Sequence, residues 1–291
     1  MDTVENLFSP PQNFAGLPER YSNREKARVA ILPVPYDGTA EWHCGTRDAP
    51  QAIINASKYL EMYDRELDRE ICAVGIHTLP PLDPVLSSPE AMVQRVYLAS
   101  RQVLADGKFP VMLGGEHTMT IGMVQALKEK YPDLCVLQFD AHADLRDEYL
   151  GTQYNHACAM RRIIEQCPIV QVGIRSFSLE ENQFITERKL KPFYMEDLTA
   201  DTAQQVVSSL GNNVYISIDV DVFDPSIMAA VGTPEPGGMG WQQVLDIVKL
   251  VAQKKNVVGF DIVELCPQEG PDACSYLAAK LTYKLIGYSV K

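Results

Sequence analysis

Short runs of apolar, often β-branched residues recur along the chain, with polar segments of helical period between them. They are ARVAILPV (28–35), ICAVGIH (71–77), FPVMLGG (109–115), LCVLQFD (134–140), PIVQVGIR (168–175), a shorter KPFYM (191–195), NVYISIDV (213–220) and NVVGFDIVE (256–264). Most are continuous rather than alternating, the pattern of strands buried on both faces and therefore of a parallel sheet. Between them, residues 88–107 predict a helix opened by Ser88 and Pro89, with Val93, Val96, Tyr97 and Leu104 along one side and Gly107 as its stop. Residues 241–255 repeat the pattern through Val244, Ile247, Val248 and Val251, and residues 272–285 stack Ala273, Leu277, Leu281 and Leu285. About eight alternations of strand and helix predict an α/β fold of βαβ units, with helices on both faces of one sheet. No internal repeat or compositional break marks a linker, so one domain is expected over 1–291, with an irregular N-terminal arm over 1–25.

Polar residues crowd where these strands should end. GGEHT carries His117, DAHAD carries Asp140, His142 and Asp144, SIDVDVFDP carries Asp219 and Asp221 with Asp224 behind, and the last run closes on Glu264. In open α/β sheets, ligands gather at the carboxyl ends of strands. Residues two apart in extended backbone face the same way, so Asp140, His142 and Asp144 should converge, as should Asp219 and Asp221. Carboxylates brought that close repel and lose solvation unless a cation compensates. Two histidines and four aspartates from three strand ends suit two divalent ions sharing ligands. Such a pair, roughly 3.5–4 Å apart, can hold a bridging hydroxide and bring the pKa of water toward neutrality. Oxygen-rich ligation without thiolate favours manganese, with nickel, cobalt and zinc as alternatives.

Two more residues fit chemistry around such a centre. His156 lies twelve residues past Asp144, just before an expected helix (157–166), and can return over the metals as a proton shuttle. Glu264 at the same sheet edge matches a planar guanidinium through a two-pronged, charge-assisted hydrogen bond. Asp224, before Pro225, reads instead as a turn cap.

Composition narrows the partners. With 38 acidic against 26 basic residues the net charge is −12, which argues against nucleic acid and is compatible with a small cationic substrate. The start, MDTVENLFSP, has neither the basic end nor the apolar core of a signal peptide, and no run reaches the roughly 20 apolar residues of a membrane span. A cytoplasmic protein with no membrane partner is expected. Seven scattered cysteines without a Cys-x-x-Cys pair read as free thiols.

Taken in order, PVPYDGT (33–39), GGEHT (114–118), DAHADLR (140–146), YNHACAMRR (154–162), SIDVDVFDPS (217–226), GTPEPGG (232–238) and DIVEL (261–265) resemble the ureohydrolase family, the arginase and agmatinase group, over nearly the whole chain. DAHAD and SIDVDVFDP are the most specific, and GTPEPGG resembles agmatinase more than arginase. The resemblance implies a three-layer α/β/α fold with a mostly parallel sheet of about eight strands, and a homotrimer or homohexamer. It implies two Mn(II) ions held by His117, Asp140, His142, Asp144, Asp219 and Asp221, and hydrolysis of a guanidino group to an amine and urea. In that scheme the metal-bridging hydroxide attacks the guanidinium carbon, Asp144 orients it, His156 protonates the leaving amine, and Glu264 grips the guanidinium.

Two positions depart from the family pattern: Ala157 stands where many members carry glycine, and Cys266-Pro267 where Asn-Pro is common. The stretch 145–155 also lacks the Ser, Thr and Asn-rich character with which arginases hold the amino-acid end of arginine. The expected reaction is therefore agmatine and water to putrescine and urea, within polyamine synthesis. Guanidinobutyrate or another guanidino acid is the alternative, and its sign would be a basic residue in the pocket. Outside the class stand a catalytically silent metal-binding relative, against which the intact ligand set weighs, and a one-zinc deacetylase-like enzyme, against which two Asp-rich motifs weigh.

Overall fold

The computed structural model describes residues 9–290. Its strands are β1 (Val29–Val34), a two-stranded hairpin of β2 (Tyr63–Asp64) and β3 (Arg69–Glu70), then β4 (Ile76–Thr78), β5 (Phe109–Gly114), β6 (Leu134–Phe139), β7 (Ile169–Ile174), β8 (Phe193–Tyr194), β9 (Asn213–Asp219) and β10 (Asn256–Val263). Eight of them form one sheet in the order β4-β1-β5-β10-β9-β6-β7-β8, and every neighbouring pair is parallel. The helices are α1 (Glu19–Ser22), α2 (Ala49–Ser57), α3 (Pro89–Ala105), α4 (Thr120–Lys130), α5 (Ala159–Ile164), α6 (Leu179–Arg188), α7 (Thr202–Ser209), α8 (Trp241–Lys254) and α9 (Asp272–Ser289).

Because successive strand residues point to opposite faces, each apolar run feeds two cores. Val29 and Ile31 of β1, with Val214, Ile216 and Ile218 of β9, share one core with α2, α7, α8 and α9. Leu32 and Val34 of β1, with Tyr215 of β9, share the other with α3, α4, α5 and α6. The result is the three-layer α/β/α arrangement that the resemblance implied. In α8, Val244, Ile247, Val248 and Val251 sit at helical spacing and are all buried, each contributing about 1.5–3 kcal/mol of apolar transfer. Ser88 caps α3 as expected, its hydroxyl accepting the Ala91 N–H at 3.1 Å.

One expectation needs correction. The run 71–77 is not one strand: Ile71–Val74 forms a 3-10 turn, and β4 begins only after Gly75. Gly75 has φ +77°, and a Cβ there would come within 2.7 Å of the Ala27 Cα, so the chain turns where the apolar pattern suggested extension. Ile71 and Cys72 are apolar because they are buried in the core, not because they are extended. Of the expected arm, residues 1–8 lie outside the described residues, and the part that follows is anchored to the core. Phe14 and Leu17 are buried, and the Ala15 N–H donates to the Ser57 hydroxyl at 2.7 Å.

Candidate metal centre and active site

The chain leaves β5 and re-enters the sheet at β6, three places away, and the gap is filled later by β9 and β10. The four central strands therefore come from distant parts of the sequence and end side by side, the switch point at which open α/β sheets bind ligands. His117 follows β5, Glu264 follows β10, Asp219 ends β9, and Asp140 follows β6. The loop after β1 reaches the same edge, because Gly115 and Glu116 donate their N–H groups to Val34 and Tyr36 carbonyls at 2.9 Å each.

The aspartate motifs converge as expected, and side-chain turns add to the strand geometry in aiming them. Asp140 lies beyond the end of β6, and its carboxylate accepts the His142 N–H at 2.6 Å. Asp219 does the same for the Asp221 N–H at 2.9 Å, where the chain enters a 3-10 turn over Val220–Val222. Both are tight side-chain turns over two residues, and they lock each pair at hydrogen-bond range. The Ala141 N–H donates to Asp221 Oδ1 at 2.9 Å and joins the two motifs. Asp144 and Glu264 have φ values of +54° and +65°, a left-handed backbone that costs non-glycine residues of order 1–3 kcal/mol and clusters at functional sites.

His117, Asp140 and Asp219 form one group able to hold a cation, and Asp140, His142 and Asp221 form a second. Asp140 belongs to both, so the groups share a carboxylate. His117 Nδ1 stands 3.1 Å from Asp140 Oδ2, 3.0 Å from Asp144 Oδ2 and 3.7 Å from Asp219 Oδ2. His142 Nδ1 stands 2.8 Å from Asp221 Oδ2. All six sequence-predicted candidate ligands are thus brought together.

The donor chemistry tests whether a metal fits. The Ser217 hydroxyl donates to Asp261 Oδ1 at 2.7 Å and stands 2.9 Å from His117 Nε2. Having spent its proton, Ser217 accepts from His117 Nε2–H, which in the neutral imidazole leaves the lone pair on Nδ1. Nδ1 is buried without a hydrogen-bond partner and faces carboxylate oxygens. Burial opposes charge on this imidazole, but Asp140 and Asp144 raise it well above its ordinary value, so the site draws positive charge to Nδ1, as a proton or as a metal cation. Among the described residues, the ion-pair partners of these aspartates are imidazoles, with no lysine or arginine. Burial, then the charges of Asp221 and Asp144, push Asp140 up to about 7, and burial with Asp221 and Asp140 pushes Asp219 well above its ordinary value. Burial opposes the charge of His142, but the neighbouring Asp221 raises that imidazole to about 10. A cluster that draws in positive charge this strongly, with two imidazole nitrogens and four carboxylates, fits divalent cations.

One cavity of about 310 Å³ opens over this cluster, lined by His142, Asp144, Asp219, His156 and Glu264 among others. Burial, then the charge of Glu116, lifts the Glu264 carboxyl well above its usual range, and its Oε1 accepts the His117 N–H at 2.6 Å. His156 heads the 3-10 turn before α5, capped by the Asn155 side chain. Its Nε2 is 3.3 Å from Glu41 Oε2, and burial lowers its pKa against the pull of Asp144 and Glu41.

Several lining residues carried no sequence assignment. Glu41, Trp42, Arg146 and Tyr149 form part of the wall. Arg146 lies 4.0 Å from Glu181 and 4.7 Å over the Tyr149 ring, so the basic residue that would suit a carboxylated substrate is present but already matched. Thr39 and Glu116 stood inside quoted motifs; nothing in their spacing tied them to His156. Asp224 is the turn cap that was expected, accepting the Ser226 N–H at 2.9 Å and two glycine N–H groups. The seven cysteines are free thiols. No helix among the described residues is long and apolar enough to cross a membrane.

The chain is similar to known proteins in sequence and in fold. The sequence model of the arginase family matches residues 27–287. A protein of Synechocystis named N(1)-aminopropylagmatine ureohydrolase is 37% identical over 96% of each chain, and an agmatinase of Pyrococcus horikoshii is 36% identical over 91% of this chain and 93% of its own. Among solved structures, the agmatine ureohydrolase of Thermoplasma volcanium superposes with a TM-score of 0.88 at 33% identity, covering 98% of this chain and 96% of that one.

Proposed function

The chain belongs to the arginase family, whose members hydrolyse guanidino groups, and from that premise we propose a binuclear manganese-dependent ureohydrolase that converts agmatine and water to putrescine and urea. One observation carries the reading: His142, Asp144, Asp219, Glu264 and His156 line a single cavity at one sheet edge, and His117, Asp140 and Asp221 pack against those ligands. Bound by His117, Asp140, His142, Asp144, Asp219 and Asp221, a pair of manganese ions would supply an activated water at neutral pH.

The protein's own groups do the rest. Glu264 has one oxygen tied to the His117 N–H, which leaves the other for a guanidinium. A buried carboxyl pushed upward regains its charge when a cation arrives, so binding favours the guanidinium over neutral groups. Asp144, strained into the left-handed region at the cavity floor, holds the attacking water in line. His156 gives its proton to the departing amine, and its lowered pKa makes it the readier acid.

The relatives named for N(1)-aminopropylagmatine favour a second substrate, whose aminopropyl arm adds an ammonium at the far end. The cavity rim suits that arm: Glu41 is a carboxylate, and Trp42 and Tyr149 offer aromatic faces to a cation. Urea release from agmatine, its aminopropyl derivative, arginine and guanidinobutyrate separates the readings. Agmatine or its derivative should dominate; guanidinobutyrate in first place would move the substrate to guanidino acids, through Arg146. No urea from any of them at stoichiometric metal would favour the silent relative, and one zinc per chain by elemental analysis would favour the mononuclear alternative. The same reading carries a homotrimer or homohexamer in the cytoplasm, tested by light scattering and by cell fractionation.

A further inference from the structure

We infer that Thr39 is a positioning residue for the proton donor, its hydroxyl, oriented by Glu116, holding the His156 imidazole in one tautomer; this rests on the reading of His156 as the acid. Three segments far apart in sequence meet at this hydroxyl. Thr39 Oγ1 donates to Glu116 Oε1 at 2.9 Å, stands 3.1 Å from His156 Nδ1 and accepts the His156 backbone N–H at 3.2 Å. The Thr39 backbone N–H donates to the other Glu116 oxygen at 2.7 Å. With Glu116 in its carboxylate form both of its oxygens accept, so the hydroxyl's single proton goes to Glu116 and Thr39 accepts from the imidazole. Nδ1 therefore carries a hydrogen, and Nε2 is the nitrogen that gains and loses the working proton. Nε2 is the one beside Glu41 and the cavity. This is the logic of an acid–base histidine whose second nitrogen is fixed by a third group.

A purely structural role for the hydroxyl is the competing account. Other contacts already tether this loop: the Glu116 N–H to the Tyr36 carbonyl at 2.9 Å, the Gly45 N–H to Asp37 Oδ2 at 2.9 Å, and the Arg47 guanidinium to Asp37 at 2.5 Å. None of them needs the Thr39 side chain. Thr39 and Glu116 are both buried, so water has little room to take over the hydroxyl's place.

Thr39→Val keeps the shape and removes the hydrogen bonds. Manganese-loaded Thr39→Val should lose about 10- to 100-fold in kcat, with KM, metal content and melting temperature close to wild type, and Thr39→Ser should restore most of the rate. In a double-mutant cycle with His156→Ala, adding Thr39→Val should cost nothing further, because the group it positions is gone. Wild-type kcat in Thr39→Val, no rescue by serine, or losses that multiply in the double mutant would each overturn the inference. If Thr39→Val does not fold, Glu116→Gln asks the same question, since an amide donates to the hydroxyl and turns its proton toward Nδ1: kcat should fall, and full activity overturns the inference. A wild-type protein that releases urea from no guanidino compound overturns the functional reading and this inference with it.

Discussion

Two clusters of carboxylates stand in this molecule, one part-buried at the β2–β3 hairpin and one buried at the strand ends, and their charges are met in opposite ways. At the β2–β3 hairpin, Lys284 of α9 donates to Asp64 at 3.1 Å and also pairs with Glu66, while Lys249 of α8 pairs with Glu66 at 2.6 Å and the Tyr288 hydroxyl donates to it at 2.6 Å. Burial alone would raise Glu66, but these partners bring it down to about 2. At the strand ends, burial and then the neighbouring Asp221 move Asp140 and Asp219 upward, and among the described residues no lysine or arginine side chain pairs with them. The chain closes the first cluster with its own cations and thereby pins α9 to the hairpin. It leaves the second without such partners, and that is the cluster whose side chains could hold cations from outside.

The comparison can be broken at several points, from the largest effect down. Asp140→Ala removes the carboxylate shared by both groups; it should abolish bound metal and lower kcat/KM by more than about 10⁴-fold, read by elemental analysis and urea release. Asp221→Ala should deplete at least one ion, and full retention of both would refute its assignment. His156→Ala should lower kcat by about 10²–10⁴-fold while metal content stays near wild type; loss of metal would make His156 a ligand.

At the closed cluster, Lys284→Met leaves two carboxylates without their buried partner and should cost about 3–5 kcal/mol in denaturant unfolding, with metal stoichiometry unchanged. A variant of full stability would show that the lysine does not hold α9. The pH response should be smaller. Glu66 is depressed in the folded state, so its contribution is present above its ordinary value of 4.5 and is lost as pH falls from there toward 2. Its side chain is 36% exposed, and solvent screening limits the effect to about 1 kcal/mol. Comparing the melting of wild type and Glu66→Gln between pH 6 and pH 3 checks this: the difference should shrink as the solution becomes more acidic.

Much of the fold was legible beforehand because burial on both faces leaves a simple signature. The runs 134–140 and 213–220 became β6 and β9 nearly to the residue. The run 71–77 misled because a buried turn and a buried strand carry the same apolar residues, and only Gly75 marked the difference. Within the site, residue types and strand-end positions named all six candidate ligands with His156 and Glu264, since few accidents place so many acids and imidazoles at one sheet edge. Their convergence needed more than extended backbone, however: tight side-chain turns and a left-handed Asp144 also aim them.

The sequence by itself therefore determined the layers and the chemical character of the centre, because apolar runs and clustered acids are local patterns. Only the tertiary structure decided which imidazole nitrogen faces the carboxylates and which groups stand behind it. Ser217 and His117 meet across 100 residues, and Thr39 meets Glu116 and His156 across 77 and 117. Contacts of that range leave no period and no spacing in the chain. They exist because β5, β10, β9 and β6, distant in sequence, end side by side.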